Sequence, residues 1–345
     1  MLPSVLSEEL KASVRDFLCS AFPVTTPCFR RDDGATLVDG LLERPGELFK
    51  GPYLSVDLPF RKLEGMESPF HTLDPGFAPY HHQQQAFQRL APPSPRSTLV
   101  ATGTGSGKTE AFALPILDHC ARERAKGPSG RGIKALIIYP MNALATDQAG
   151  RLAGEIHKRG NLRGLSVGLF IGGAETHPDK TMGPDRVIRC KETLREHPPD
   201  ILLTNYKMLD YLLIRPKDQP LWRYNSPETL RYLVVDELHT FDGAQGTDLG
   251  CLIRRLRHRL EVGPELACVG TSATLGAEEA GEQLLDFAGK VFATQFDEDA
   301  LIGEERLSAD EFLAGRERRS FTPPGPESRR ALEPGRYASQ ADYLR

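Results

Sequence analysis

Six short, mainly apolar segments between residues 97 and 270 constrain the fold of this chain most strongly. Each is followed by a loop and then by a spacing of apolar residues typical of a helix. The segments are 97–101, 135–139, 166–171, 201–204, 232–235 and 267–270. Short apolar strands that alternate with helices are typical of a parallel sheet buried on both faces. The sequence therefore predicts an α/β domain over residues 76–292, with a mostly parallel sheet and helices on both faces.

The regions on either side of this domain differ from it in composition. Residues 1–75 combine an amphipathic helix, over about residues 7–22, with loops rich in Pro and Gly, and this pattern indicates an N-terminal accessory segment. After residue 292 the chain becomes acidic and then rich in Pro and Arg. We interpret residues 293–345 as a linker or the start of a following domain.

The sequence ATGTGSGKTE, at residues 101–110, lies between a predicted strand and a predicted helix. Its glycines allow a tight turn whose backbone N–H groups face a phosphate, and a helix N-terminus favours an anion. This is the context of a P-loop, although Thr102 replaces the first Gly of the strict pattern. We expect Lys108 to reach the β- and γ-phosphates of ATP and the Thr109 hydroxyl to bind Mg²⁺. The alternative is a Gly-rich turn without nucleotide. The predicted nucleotide-binding residues of this loop are Thr104, Gly105, Ser106, Gly107, Lys108, Thr109 and Glu110.

The sequence VVDELH, at residues 234–239, ends another predicted strand. A carboxylate at a strand end beside a P-loop is typical of enzymes that transfer phosphoryl groups. We expect Asp236 to hold Mg²⁺ and Glu237 to orient or deprotonate the attacking water, with Lys108 as the third catalytic residue. The alternative is an acidic turn between a strand and a loop.

The order of these motifs resembles that of superfamily 2 DExH-box helicases. Two further elements carry the resemblance: TSATL at residues 271–275 and YHHQQQA at residues 80–86. The resemblance implies a RecA-like P-loop NTPase domain, the first of the two in such helicases. It also implies that the Gln83 amide contacts adenine and that Ser272 and Thr274 link the ATP state to nucleic-acid binding. For Gln83 the alternative is a polar turn of helix.

Two more segments resemble the parts of this family that line the nucleic acid. They are YPMNALATDQ at residues 139–148 and LLTNYKMLDYLL at residues 202–213. Asn and Thr also commonly cap helices, so a structural role is an equal alternative for each side chain. The residues that the resemblance assigns to nucleic-acid contact or coupling are Asn142, Thr204, Asn205, His239, Ser272 and Thr274.

The sequence following the DELH box, through residue 260, narrows the resemblance to a branch of bacterial helicases. It is similar to the MrfA-like repair helicases and the defence helicases of DISARM and Druantia type. This resemblance implies the N-terminal ATP-binding lobe of an ATP-dependent DNA helicase or translocase, with a role in DNA repair or anti-phage defence. DNA is preferred over RNA on this ground alone.

The resemblance implies a second RecA-like domain, which would lie in the same chain or in a partner chain. The lobe alone is therefore expected to bind ATP weakly and hydrolyse it slowly, because the arginine finger belongs to the second domain. A non-catalytic RecA-like module that binds nucleic acid or a partner remains an alternative. A metabolic P-loop kinase is disfavoured, because TSATL has no reason to occur in one.

The composition adds three expectations about the environment of the protein. The net charge of −4 gives no overall basic signature, so nucleic acid must bind a local surface. No apolar run approaches the roughly 18 residues that span a bilayer, so no membrane partner is expected. The six cysteines are scattered without a CxxC pair, which fits a reducing cytoplasm.

Overall fold

The computed structural model describes residues 3–23, 25, 26, 37–42, 57–63, 65, 68–103, 105–173, 178–273 and 278–315. Two compact units are present. One contains the described residues up to Leu58 and from Ser308 onward, and the other is Pro59–Leu307. None of the described helices is both long enough and apolar enough to cross a lipid bilayer.

The helices and strands alternate along most of the second unit. In chain order the helices are α1 Pro3–Ala21, α2 Leu37–Leu42, α3 His81–Leu90, α4 Lys108–Arg124, α5 Asn142–Lys158, α6 Lys191–Glu196, α7 Tyr206–Ile214, α8 Gly243–Arg259, α9 Glu278–Phe292 and α10 Ala309–Leu313. The strands are β1 Thr98–Ala101, β2 Ala135–Tyr139, β3 Val167–Phe170, β4 Ile201–Asn205, β5 Tyr232–Val235, β6 Ala267–Ser272 and β7 Leu301–Gly303.

The first unit contains the amphipathic helix that the sequence predicts. Helix α1 begins four residues earlier than expected, and Arg15 forms an ion pair of 2.5 Å with Asp39 of α2. Helix α10 starts with a capping box, in which Ser308 and Glu311 each accept a hydrogen bond from the backbone of the other. Such reciprocal caps satisfy backbone N–H groups that have no partner within the helix.

The seven strands of the described residues lie in one parallel sheet with the order β3-β4-β2-β5-β6-β1-β7. A strand occurs in each of the six predicted segments, so the prediction of a parallel sheet is confirmed. The seventh strand, β7, lies within residues 293–345, for which the sequence predicts a linker or the start of a following domain. It has three residues, of which only Ile302 is buried. Three residues are too few to show an apolar pattern from which a strand could be predicted.

The two faces of the sheet have separate hydrophobic cores. Leu233 and Val235 of β5 belong to a cluster with residues of α7, α8 and α9. Tyr232 and Val234 belong to a second cluster, on the opposite face, with residues of α3, α4 and α5. Successive side chains of a strand point to opposite faces, so one apolar strand contributes to both cores. The prediction of helices on both faces is therefore confirmed.

Candidate nucleotide and nucleic-acid site

The loops after β1, β5 and β6 meet at the carboxyl end of the sheet because these three strands are neighbours. The parallel register places Ala101 beside Ser272 and Val235 beside Gly270. Lys108 Nζ donates to the Ser272 carbonyl at 3.1 Å and lies 3.5 Å from Glu237 Oε1. The structure thus brings together residues that the sequence predicts from three separate motifs.

The P-loop turns through two glycines in the left-handed region. Gly105 and Gly107 both have φ of 78°, a backbone angle that residues with a Cβ adopt only with strain. Thr102 and Ser106 are buried, and their hydroxyl oxygens are 2.7 Å apart across the loop. This bond gives a structural role to the threonine that departs from the strict P-loop pattern. Thr104 lies outside the described residues.

Helix α3 holds the second half of the P-loop. Gln83 is buried, accepts from the backbone N–H of Tyr80 at 3.0 Å and donates to the Gly107 carbonyl at 3.1 Å. His82 Nε2 donates to the Ser106 carbonyl at 2.8 Å. Burial lowers the pKa of His82, which favours the neutral imidazole. The adenine contact of Gln83 stays a prediction, since both ends of its amide contact the protein. His82 was not predicted as a site residue, although it lies in the same YHHQ element.

Substitution of Gly107 is expected to destabilise the protein more than the same substitution at Gly105. A Cβ at Gly107 would clash with Gln83 Nε2, whereas a Cβ at Gly105 would meet nothing within 4 Å. Both variants carry the left-handed cost of about 1 kcal/mol, and Gly107→Ala should lose roughly a further 1 kcal/mol with the Gln83 bond. Urea unfolding without nucleotide measures the difference.

A second mutation tests the cause of that difference. In a Gln83→Ala background, Gly107→Ala should cost no more than Gly105→Ala, because the clashing amide is gone. Equal effects of the two glycine substitutions in the wild-type background would contradict the role assigned to Gln83.

The two acidic residues of the DELH box are fixed by Thr271. The Thr271 hydroxyl donates to Asp236 Oδ1 at 2.5 Å and accepts from the backbone N–H of Glu237 at 2.9 Å. Burial raises the pKa of Asp236, and the negative charge of Glu237 adds to the rise. A cation beside Asp236 would therefore be favoured electrostatically. Thr271 opens the TSATL motif but was not predicted as a site residue.

Glu237 has a backbone conformation that is rare for its residue type. Its φ is 50°, and this turn leads into the 3₁₀ helix Leu238–Thr240. The carboxylate is directed between Lys108 and His239, whose Nδ1 lies 3.5 Å from Glu237 Oε2. His239 Nδ1 is also 3.3 Å from the Ser272 hydroxyl. A continuous chain of contacts therefore joins the DELH box to TSATL. Thr274 lies outside the described residues.

The residues expected to bind Mg²⁺ have the donor atoms that this ion prefers. Asp236 offers a carboxylate and Thr109 a hydroxyl, both hard oxygen donors, and Mg²⁺ completes its shell with water and phosphate oxygens. The buried, electrostatically disfavoured charge of Asp236 fits such a cation. Glu110, predicted with the nucleotide-binding residues, forms an ion pair of 2.5 Å with Arg151 of α5, and its role at the nucleotide stays a prediction.

A groove of about 490 Å³ opens beyond β2 and β4, at the same end of the sheet. Asn205 Nδ2 donates to Asn142 Oδ1 at 2.6 Å, and Asn205 Oδ1 caps α7 by accepting from the Met208 N–H. Thr204 is buried, and its hydroxyl donates to the Phe170 carbonyl, so this predicted contact residue does not line the groove. The groove is lined by Pro140, Asn142, Gly172, Asn205, Tyr206, Lys207, Met208, Tyr211 and Gln245.

Comparison with known proteins agrees with this arrangement. The family model described as DEAD/DEAH box helicase matches residues 80–282. Among curated proteins, the Druantia protein DruE of Escherichia coli is 28% identical, over 59% of this chain and 16% of DruE. The uncharacterized ATP-dependent helicase YprA of Bacillus subtilis is 31% identical, over 59% of this chain and 24% of YprA. The chain thus spans between about a sixth and a quarter of the length of these relatives.

A solved structure supports the same fold. The crystal structure of the DUF1998 helicase MrfA bound to DNA has a TM-score of 0.53 and 24% identity, covering 72% of this chain and 31% of that one. Since the family model matches more than half of the chain, and since the P-loop, the DELH box and TSATL meet at one end of a parallel sheet, the chain belongs to the DEAD/DEAH box helicase family.

Proposed function

We propose that this chain is the ATP-binding lobe of an ATP-dependent DNA helicase or translocase. The observation that carries the proposal is the position of Lys108, within 3.5 Å of Glu237 and of the Ser272 carbonyl, at the end of three adjacent strands. A P-loop lysine, a strand-end carboxylate and a TSATL backbone meet there. This combination fits hydrolysis of ATP linked to nucleic-acid binding.

The side chains suit the charges of phosphoryl transfer. Lys108 would exchange its contact with the Ser272 carbonyl for the β- and γ-phosphates, where its charge offsets the charge that develops. Glu237 would orient the attacking water and accept its proton. Asp236 and Thr109 would hold Mg²⁺, which when bound neutralises phosphate oxygens.

The groove beyond β2 and β4 is the proposed nucleic-acid surface. Asn142 and Asn205 are joined by a hydrogen bond at its wall, and Lys207 adds a positive charge. Phosphate contacts of this kind position a strand without reading its sequence. The support for DNA over RNA is the resemblance of the sequence to the MrfA-like helicases, since the solved structure of MrfA contains DNA. The biological role that we propose for such a helicase is DNA repair or anti-phage defence. We place this role in the cytoplasm.

A second RecA-like domain, in the same or a partner chain, is part of the proposal. In helicases of this superfamily ATP is bound between two such domains, and an arginine of the second can raise the rate by about 10³ or more. The contacts from Glu237 through His239 to Ser272 supply a route by which the ATP state would reach the rest of the protein.

The proposal is tested by measuring nucleotide binding and then hydrolysis with and without single-stranded DNA. Binding of ATP with DNA-dependent hydrolysis supports a motor lobe. Binding of nucleic acid with no hydrolysis, even when a second RecA-like domain is supplied, would instead indicate the non-catalytic module.

Replacing Lys207 with alanine is expected to weaken binding of single-stranded DNA. Lys207 is exposed at the groove, so its charge is available to a phosphate. Loss of one such contact should lower the affinity about 3- to 10-fold and reduce the salt slope by about one. Fluorescence anisotropy of a labelled oligonucleotide at several salt concentrations measures both quantities.

Lys158→Ala is the matched control for this measurement. Lys158 is also exposed, but it ends α5, whereas Asn142 begins the same helix. At 1.5 Å per residue, these helix ends are roughly 24 Å apart, so Lys158 lies far from the groove. An equal loss of affinity in both variants would show that Lys207 contributes only to the overall charge.

A further inference from the structure

The carboxylate of Glu304 holds the beginning of the P-loop. The parallel register places Gly303 of β7 beside Ala101 of β1, so the residue after β7 lies next to the loop after β1. Glu304 Oε2 accepts a hydrogen bond from the backbone N–H of Gly103 at 2.7 Å. The Glu304 side chain is only 17% exposed, so water competes weakly for this charge-assisted bond.

The segment that carries Glu304 is itself fixed by several contacts. Glu304 Oε1 accepts from Arg306 Nε at 2.8 Å, so both carboxylate oxygens have partners. The Arg306 guanidinium lies over the ring of Phe60, 4.3 Å from its centroid. Backbone hydrogen bonds join Arg61 to Glu305 at 2.8 Å and Leu307 to Pro59 at 3.0 Å. The position of the Glu304 carboxylate is therefore defined by the fold around it.

The adjacent residue connects this segment to α3. Glu305 Oε2 lies 2.5 Å from Nδ1 of His81, the first residue of α3, and Glu305 Oε1 forms an ion pair of 2.5 Å with Arg61. Helix α3 in turn holds the Ser106 and Gly107 carbonyls through the two residues that follow His81. The P-loop is thus held at the Gly103 N–H by Glu304 and at the Ser106 and Gly107 carbonyls by α3. Glu305 joins the two supports.

We propose that Glu304 is a positioning residue, which fixes the start of the P-loop in the conformation that receives the phosphates of ATP. The inference rests on the proposed function, since it assigns Glu304 a role in nucleotide affinity. Glu304 would act through the Gly103 backbone and would not contact the nucleotide. Preorganised backbone donors bind a phosphate more tightly than donors that must first be ordered.

The test compares the affinity for a fluorescent ADP analogue among wild type, Glu304→Ala and Glu304→Gln in the whole chain. Loss of a hydrogen bond to a charged group predicts about 10-fold weaker binding, or more, for Glu304→Ala. Glu304→Gln keeps an acceptor oxygen and should lose roughly 2- to 3-fold. Glu298→Ala, an exposed acid before β7, is the matched control and should bind like wild type.

Two further readouts separate positioning from general stability. Hydrogen exchange should accelerate in the peptide that contains the P-loop of Glu304→Ala, but not in peptides from β2 or β4. In steady-state hydrolysis the KM for ATP should rise while kcat changes less than about twofold. A merely structural loss would lower kcat through the fraction of folded protein and leave KM unchanged.

The outcomes distinguish the two proposals. Failure of wild-type protein to bind nucleotide would overturn the proposed function. Wild-type affinity in Glu304→Ala, or equal weakening in Glu298→Ala, would overturn the role of Glu304 alone. If Glu304→Ala does not yield folded protein, Glu304→Gln replaces it in the comparison. Wild-type nucleotide affinity in Glu304→Gln, together with unchanged hydrogen exchange of its P-loop peptide, would then reject the positioning role.

Discussion

Glutamine in place of Glu237 is expected to lower ATP hydrolysis by about 10² to 10⁴, while the affinity for nucleotide changes little. The carboxylate lies between Lys108 and His239 and has the reach to orient a water. Glutamine keeps the shape but cannot accept the proton. Lys108 and the rest of the P-loop are untouched, so the binding of ATP should persist. Single-turnover hydrolysis of labelled ATP, which detects slow reactions, measures the rate.

Glu261→Gln is the matched control for this substitution. Glu261 is exposed, lies two residues after the end of α8 and has φ of 51°, close to the 50° of Glu237. The control therefore removes the same charge from the same unusual backbone conformation. Hydrolysis by Glu261→Gln should equal that of wild type. A Glu237→Gln protein that hydrolyses ATP at the wild-type rate would exclude Glu237 as the base.

Valine in place of Thr271 is expected to reduce the free energy of unfolding by about 2 to 3 kcal/mol, since hydrogen bonds to charged groups contribute roughly that much. The buried Thr271 hydroxyl donates to Asp236 and accepts from the Glu237 N–H. Valine preserves the shape of the side chain and its preference for a strand, but leaves both groups without this partner. Urea unfolding in the absence of nucleotide and metal measures the loss.

The same substitution at Thr247 provides the control. Thr247 lies exposed on α8, and its hydroxyl donates to the Gly243 carbonyl within the helix, where solvent is an alternative partner. Thr247→Val should change the free energy of unfolding by less than about 0.5 kcal/mol. A Thr271→Val protein as stable as the Thr247→Val protein would refute the bridging role of Thr271.

Much of the fold follows from the sequence because buried parallel strands are apolar along their whole length. This pattern predicts the six strands β1 to β6, and the strand-to-helix context predicts the P-loop. The approach of Lys108 to Glu237 follows as well, because both residues come after strands whose carboxyl ends share one edge of the sheet. At these residues the local sequence pattern correctly predicts the position in the folded structure.

The remaining features depend on contacts between distant parts of the chain. Glu304 meets Gly103 only because a short seventh strand pairs with β1, and no local pattern indicates that pairing. The orientation of Thr204 toward Phe170 depends on which face of β4 each side chain takes. Thr271 could have been predicted, since it begins TSATL and lies in β6, the strand that pairs with the strand leading into the DELH box. The nucleotide and nucleic-acid contacts of the predicted residues stay predictions.

The pairing of β7 with β1 has a consequence for shortened versions of the protein. Shortening the chain to the predicted domain limit at residue 292 would remove β7 and expose the edge of β1. Unpaired N–H and C=O groups on an apolar strand recruit strands from other molecules, so such a protein is prone to aggregate. The strand exposed in this way is the one that leads into the P-loop. A soluble ATP-binding unit therefore needs to extend through Leu307, where the compact unit ends.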